Sequence, residues 1–409
     1  MIHIHRFSNG LQLVHQRIKH TQVGHWALVG NVGTRDEKNE HENGLAHFTE
    51  HLLFKGTQKR SAHKVNTYLD EVGGEVNAYT TKEKLCLYAS FIDPHTRKAL
   101  DLLLDQYFFS TFPSKELEKE KSVVIDEIHL YQDSPDEQIF DVFEEKLFAG
   151  TPLGTNILGT EHSVTRFHTE MVASFHRNYF TAENSVLAYS GNWPLSKVVA
   201  AVERYLEYMP TGAAPKRKVF QKDTPFQIQE AKNCQQVYKN LGALAFSAAE
   251  SQRIPMLLLT AILGGDNANS RLNLNIREKV GLVYQIEAQY NPMTDAGLFN
   301  IFFSSDPKYA SKIEGLIDKE LMKLCTKALS TGELHRFKTQ FKSKVLMGEE
   351  SRQGLIAALA KNLLDFGRID SLDEVFKAID AITSADLLAC ANDQIHPNRL
   401  SRLTYFPEA

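Results

Sequence analysis

A run of sixteen residues, Pro210 to Pro225 (PTGAAPKRKVFQKDTP), divides this chain of 409 residues almost in half. It combines Pro, Gly, small residues and a short basic run without apolar periodicity, which is linker composition rather than that of a packed element. The segments on either side echo one another. Leu53-Phe54-Lys55-Gly56 followed by Asp70-Glu71-Val72-Gly73 matches Ile262-Leu263-Gly264 followed by Glu278-Lys279-Val280-Gly281, with the glycines seventeen apart in both. A second echo sets Glu116-Leu117-Glu118 against Glu333-Leu334-His335, each opening a long helical pattern. Such self-similarity constrains the fold to two copies of one design. We expect a first domain over 1–210, a linker over 211–225 and a second domain over 226–409.

Local patterns define what is repeated. Leu11 to Ile18 and Val23 to Val32 read as strands bounded by glycines. Helical periodicity runs through Leu45 to Phe54 and Ala62 to Val72, followed by a strand pair at Glu75 to Thr80 and Lys84 to Phe91. A helix begins at Pro94, a long one covers Ser114 to Tyr131, and another spans Asp136 to Leu147. A helix near Glu170 to Tyr179, a strand at Ser185 to Ser190 and a helix to Tyr208 complete the half. Strands do not strictly alternate with helices, so the expected class is α+β, each domain a largely antiparallel sheet covered by helices.

Composition excludes several functions. A net charge of −4 gives no basic footprint for nucleic acid. The longest apolar runs, Met256 to Leu263 and Gly354 to Ala360, are far short of a membrane span. MIHIHRFSNGLQLV has neither a signal-peptide nor a presequence pattern, so a soluble, cytoplasmic protein is expected. Cys86, Cys234, Cys325 and Cys390 lie far apart without a CxxC and read as reduced thiols. His63, His95, His162, His168 and His335 are scattered singly and carry no assigned role, while His3 and His5 alternate in a strand-like run.

His47-Phe48-Thr49-Glu50-His51 stands apart. Two histidines and a carboxylate at i, i+3 and i+4 share one helical face, where two imidazoles can grip a metal and the carboxylate lies beside the water it activates. Glu50 could instead ligate, but the HxxEH order favours the base role. In the echo register the motif falls on Pro255, Leu258 and Leu259, so one metal site per chain is expected. Zinc normally takes a third protein ligand. The long helix offers Glu116, Glu118, Glu120, Asp126 and Glu127, with Glu120 and Glu127 two turns apart on one face.

At this point the chain resembles the M16 metallopeptidases, the inverzincin group of pitrilysin, insulin-degrading enzyme and mitochondrial processing peptidase. GLAHFTEHLLFKGT, GGEVNAYTTKE and VVIDEIHLYQDSPDE are close to family wording, and Glu127 lies 76 residues after His51, the family spacing of the third ligand. In the second half, Ser270 to Tyr284 is similar to the family's Arg/Tyr segment. The resemblance implies an α+β metallohydrolase fold of the LuxS/processing-peptidase kind in two homologous domains, the second an inactive homologue. It implies one Zn²⁺ held by His47, His51 and Glu127, Glu50 as general base, and Glu120 orienting a ligand imidazole. Glu118 and Asp126 are expected to be merely solvated.

The same resemblance makes Arg277 and Tyr284 a substrate-binding pair and Asn77 and Ala78 part of an edge strand that takes up a peptide by strand addition. It implies a zinc endopeptidase acting on peptides or unfolded polypeptide. The size and two-half layout resemble the short-chain M16B subgroup, whose chains pair into a chambered dimer in which the Arg/Tyr pair crosses to the other subunit. A homodimer is therefore expected, with no nucleic acid or membrane partner. Three rival readings stand beside it: a non-catalytic scaffold or partner subunit of the same fold, the catalytic half of a heterodimer, and an unrelated binding module.

Overall fold

The computed structural model describes residues 2–213, 216–217 and 225–408. The expected linker over 211–225 therefore lies largely outside the described residues. Two sheets carry the fold. The first contains β1 (Ile2–Arg6), β2 (Gln12–Arg17), β3 (Val23–Gly30), β4 (Glu75–Thr80), β5 (Leu85–Ile92) and β6 (Ser185–Gly191) in the order β1-β2-β6-β3-β5-β4. The second contains β7 (Gln227–Lys232), β8 (Val237–Leu244), β9 (Val283–Pro292), β10 (Gly297–Ser305) and β11 (Ser401–Pro407) in the order β7-β11-β8-β10-β9.

Without β1, the two orders are the same. In both, one pair is parallel (β2 with β6, β7 with β11) and every other pair is antiparallel. The duplication is thus written in topology as well as in the echo. Gly73 and Gly281 also match in conformation, at φ +71° and +67° in the left-handed region where a glycine meets no Cβ penalty. Gly56 and Gly264 do not: Gly56 has φ +129°, whereas a Cβ on Gly264 would lie 2.7 Å from Ala288. The same letter serves backbone freedom in one half and close packing in the other.

The packing units are not the contiguous halves expected from the linker. One unit comprises Met1–His129, Thr155–Lys218 and Gly348–Ile369; the other comprises Leu130–Gly154, Val219–Met347 and Asp370–Ala409. In the first unit, α1 (Leu45–Leu52), α2 (Ala62–Asp70) and α3 (Thr96–Phe109) cover one sheet face, packing on Trp26, Leu28, Leu85 and Leu87. The alternate residues Ala27 and Val29, with Val14, Val186 and Ala188, face Ile356, Leu359, Ala360 and Leu363 of the helix Arg352–Phe366. Both faces of β3 are therefore buried, consistent with its unbroken apolar run.

The second unit mirrors this arrangement. Helices Arg253–Gly264 and Ala310–Thr326 pack on Leu241, Phe299, Ile301 and Phe303. The opposite face, with Leu298, Phe302, Leu403 and Tyr405, is covered by Ile139, Phe143 and Leu147 of α5 (Pro135–Leu147), which follows α4 (Ser114–Gln132). Each half thus contributes the helix that follows its long helix to the other unit's core. Each fully buried aliphatic or aromatic side chain on these helices contributes roughly 1.5–3 kcal/mol, enough for a few such contacts to fix the exchange. All four cysteines are free, three of them buried. No helix among the described residues is long and apolar enough to cross a membrane.

Candidate metal centre

Helix α1 is held at both its N-terminus and its inner face. Leu45, Phe48 and Leu52 are buried in the core, leaving the His47, Glu50 and His51 side of the helix for chemistry. Its N-cap, Gly44, has φ +86°, and a Cβ there would lie 2.5 Å from the Leu158 carbonyl oxygen. The Glu37 carboxylate accepts the Gly44 N–H at 3.1 Å and the Ala46 N–H at 3.0 Å, satisfying two free amides of the helix start. Burial pushes the Glu37 carboxyl well above the usual range, against those two hydrogen bonds.

The imidazoles of His47 and His51 stand one turn apart, ring centroids 4.6 Å from each other. Both Nε2 atoms face Glu127 Oε2, at 3.7 Å from His47 and 3.5 Å from His51. The three residues offer donor atoms all within 4.8 Å of one another, bringing the two histidines of α1 together with Glu127 of α4. Glu120, two turns earlier on α4, is buried and accepts a hydrogen bond at Oε1 from His51 Nδ1 at 2.9 Å. Its other oxygen meets Lys55 Nζ at 2.6 Å. Glu118 and Asp126 are exposed.

Protonation follows from these surroundings. Burial, aided by the charge of His51, lowers the His47 pKa to about 3, so this imidazole is neutral with a lone pair to give. Burial alone would also lower His51, but its bond to Glu120 and the carboxylates of Glu50, Glu120 and Glu127 outweigh it and raise the pKa. Burial opposes the charge on Glu120, yet His51 and Lys55 keep its pKa below the ordinary value. An ionised Glu120 accepts the Nδ1 proton and leaves His51 Nε2 free to ligate, the usual device for orienting a metal-binding histidine.

These residues fit a divalent cation of zinc type. Two imidazole nitrogens and one carboxylate converge, a donor set that leaves one tetrahedral position for a reactant. His47 is buried, its Nδ1 has no hydrogen-bond partner among the described residues, and its Nε2 lies beyond hydrogen-bonding distance of Glu127. A buried imidazole left so is costly unless its lone pair is coordinated. Glu50 stands next to this cluster but outside the three-donor set. Thr80 Oγ1, on β4, donates to Glu50 Oε2 at 2.6 Å, and burial raises the Glu50 pKa.

The remaining sequence candidates are placed as follows. Asn77 and Ala78 lie on β4, the edge strand of the first sheet. Asn77 Oδ1 accepts the Ala78 N–H at 2.8 Å, so the chain itself occupies one amide that strand addition could use. Arg277 and Tyr284 belong to the second unit and are both exposed, Tyr284 at 61%. Both sit at irregularities. Arg277 is in a π-helical turn, Asn273–Glu278, and Tyr284 is the unpaired residue where the β9–β10 register shifts. Such features re-aim side chains and recur at functional sites.

Three supporting residues escaped the sequence reading: Glu37, Lys55 and Thr80. Lys55 and Thr80 stand inside segments already singled out, LLFKGT and VNAYTTKE, but nothing in their spacing points to Glu120 or Glu50. Glu37 gives no signal, because it lies seven residues before the N-cap Gly44, whereas a capping-box carboxylate lies three residues after the N-cap.

Comparison with known proteins identifies the family. Residues 13–161 match the family model for insulinase (peptidase family M16), and residues 166–341 match that for the peptidase M16 inactive domain. An uncharacterized zinc protease of Bacillus subtilis (strain 168), YmxG, is 30% identical over 385 residues, covering 93% of each chain. One from Rickettsia felis, also named an uncharacterized zinc protease, is 31% identical over 389 residues, covering 95% of this chain and 94% of that one. In fold, a protease from Helicobacter pylori superposes with a TM-score of 0.93 at 20% identity over 100% of this chain and 99% of that one. The peptidase M16 inactive domain structure from Pseudomonas fluorescens gives 0.92 at 17%, covering 100% and 98%. With two halves matched by the two domain models, and with that level of identity along nearly the whole length, the chain belongs to the M16 peptidase family.

Proposed function

We propose that this chain is a zinc-dependent endopeptidase that hydrolyses peptides or unfolded polypeptide segments. The observation that carries the reading is the convergence of His47, His51 and Glu127 with Glu120 orienting His51 and Glu50 alongside. The relatives are named uncharacterized zinc proteases, which supports the same reading. A zinc ion held by the three donors supplies Lewis acidity toward water and the scissile carbonyl.

Glu50 is the general base. Thr80 occupies its Oε2, which leaves Oε1 to take a proton from the attacking water. As the water oxygen bonds to the carbonyl carbon and the C–N bond breaks, the same carboxyl returns that proton to the leaving amine. A pKa raised by burial favours both directions of this transfer. A peptide binds as an added strand along β4 at Asn77 and Ala78, displacing the Asn77 side chain from the Ala78 amide. Tyr284 donates to the developing oxyanion and Arg277 anchors the substrate backbone. We further propose a homodimer enclosing a chamber, with the Arg277/Tyr284 pair of one subunit serving the metal site of the other.

Metal analysis of the purified protein should find one zinc per chain, and Glu50→Gln should keep it while lowering peptide cleavage by about 10²–10⁴-fold. A metal-free protein in which Glu50→Gln changes nothing would mean a scaffold, not a protease. Mixing Glu50→Gln chains with Arg277→Ala/Tyr284→Ala chains should regenerate activity from two inactive parents. No recovery after confirmed subunit exchange argues against self-pairing across subunits.

A further inference from the structure

A cavity of about 590 Å³ in the first unit is formed by the segment from Lys55 to His63 with Thr111, Pro113, Lys115 and Glu116. Its lining is cationic, and the charges differ in how far they are already satisfied. Arg60 is committed to Asp101 and Asp105 and stacks over Tyr68 at 4.3 Å, so it is a wall rather than a ligand. Lys59 and Lys115 are exposed and make no ion pair within 4 Å among the described residues, and the charges of Lys115 and Lys55 help Lys119 hold the Glu116 pKa below its ordinary value. Glu116, the one acidic side chain of the lining, is neutralised by Lys119 at 2.8 Å. The first turn of α2, capped by Ser61, opens on the same space through Ala62 and His63 and adds partial positive charge.

Lys55 joins this cavity to the metal centre. Lys55 is part of the cavity lining and its ammonium bonds Glu120 Oε2 at 2.6 Å, while Glu120 Oε1 accepts from His51 Nδ1 at 2.9 Å. An ammonium has three donors, so Lys55 can hold Glu120 and an oxyanion together. An anion there draws positive charge away from Glu120, which strengthens its hold on the His51 proton and makes Nε2 a better donor.

We infer that this cavity is a regulatory site for a small phosphate-type oxyanion, bound by Lys55, Lys59 and Lys115 and coupled to the metal centre through Lys55, Glu120 and His51. The coupling rests on His51 being a metal ligand; the binding does not. The test titrates the zinc-loaded protein with inorganic phosphate against chloride at constant ionic strength. It reads phosphate binding by ³¹P NMR and the rate of zinc loss to a chelator. The wild type should bind saturably and change its zinc-loss rate at least threefold. Lys59→Gln/Lys115→Gln should weaken binding tenfold or more while leaving zinc loss in chloride unchanged. Lys55→Met should abolish the response of zinc loss to phosphate. Non-saturable binding, or an equal response in the double variant, overturns the site, and a full response in Lys55→Met overturns the relay. Should the protein carry no zinc, the metal reading and the relay fail together, while the ³¹P titration still decides the site.

Discussion

The two sheets have one topology, and the chemistry differs because of what stands at matching positions of their helices. In the first unit His47, Glu50 and His51 present one nonpolar-depleted face of α1 to Glu120 and Glu127 of α4. In the echo registers the same places in the second unit hold Pro255, Leu258 and Leu259, with Phe337 for Glu120 and Lys344 for Glu127. Leu258, Leu259 and Phe337 are buried in the hydrophobic core, and Lys344 pairs with Asp266 at 2.6 Å. A cavity of about 20 Å³ is lined by Leu258 and Lys344. Of the five replacements, Leu258, Leu259 and Phe337 are ordinary core, Pro255 is half-buried and Lys344 is exposed, and the strand order is undisturbed. The fold therefore carries the site but does not require it.

This comparison can be broken in graded steps. The largest effect should come from Leu258→Glu, which restores the carboxylate without its partners. Losing a fully buried leucine and burying an unpaired carboxyl should cost about 4 kcal/mol or more, read by urea denaturation. Zinc content should stay at one per chain; a second zinc would show that the second unit retains a latent site.

A smaller effect concerns His176, which is fully buried in the first unit with Nε2 bonded to the Tyr107 carbonyl oxygen at 2.7 Å. Burial lowers its pKa to about 4 from an ordinary 6.5. The unfolded chain therefore binds this proton before the folded one, so stability is full above pH 6.5 and falls as pH drops toward 4. The loss should reach about 3 kcal/mol and then level off. The described residues of the second unit include no buried histidine, so this acid step is expected in the first unit. Amide exchange that protects both sheets equally at pH 4.5 would contradict this difference. The smallest effect is expected from Glu120→Gln, which keeps the shape but weakens the hold on His51. Zinc affinity should fall about 10–100-fold, measured by competition with a chelator, with little change in melting temperature.

Much of the site was legible because its residues are tied by helical spacing. His47, Glu50 and His51 need only one helix to share a face, and Glu120 and Glu127 need only another. That α1 and α4 meet is a tertiary fact, and the sequence reading reached Glu127 through family spacing rather than through physics. Lys55 and Thr80 were not legible as partners because a bond between residues 65 or 30 positions apart leaves no periodic trace. Strand limits such as Glu75–Thr80 were read correctly because a period-2 pattern bounded by turn residues is local. The division of the chain was not: helices 135–147 and 352–366 have the amphipathic pattern of any core helix, and pattern does not name the sheet they cover.

The amino-acid sequence by itself determined the duplication, the class of fold and the pairing of two imidazoles with a carboxylate on one helical face. These depend on periodicity and on repeated residues, which are properties of neighbours along the chain. Tertiary structure alone decided which imidazole Glu120 orients, what holds Glu50, and which half supplies each sheet's second helical layer. Those outcomes depend on burial and on bonds between distant residues, where a few kcal/mol of packing select one arrangement among many that the sequence pattern permits.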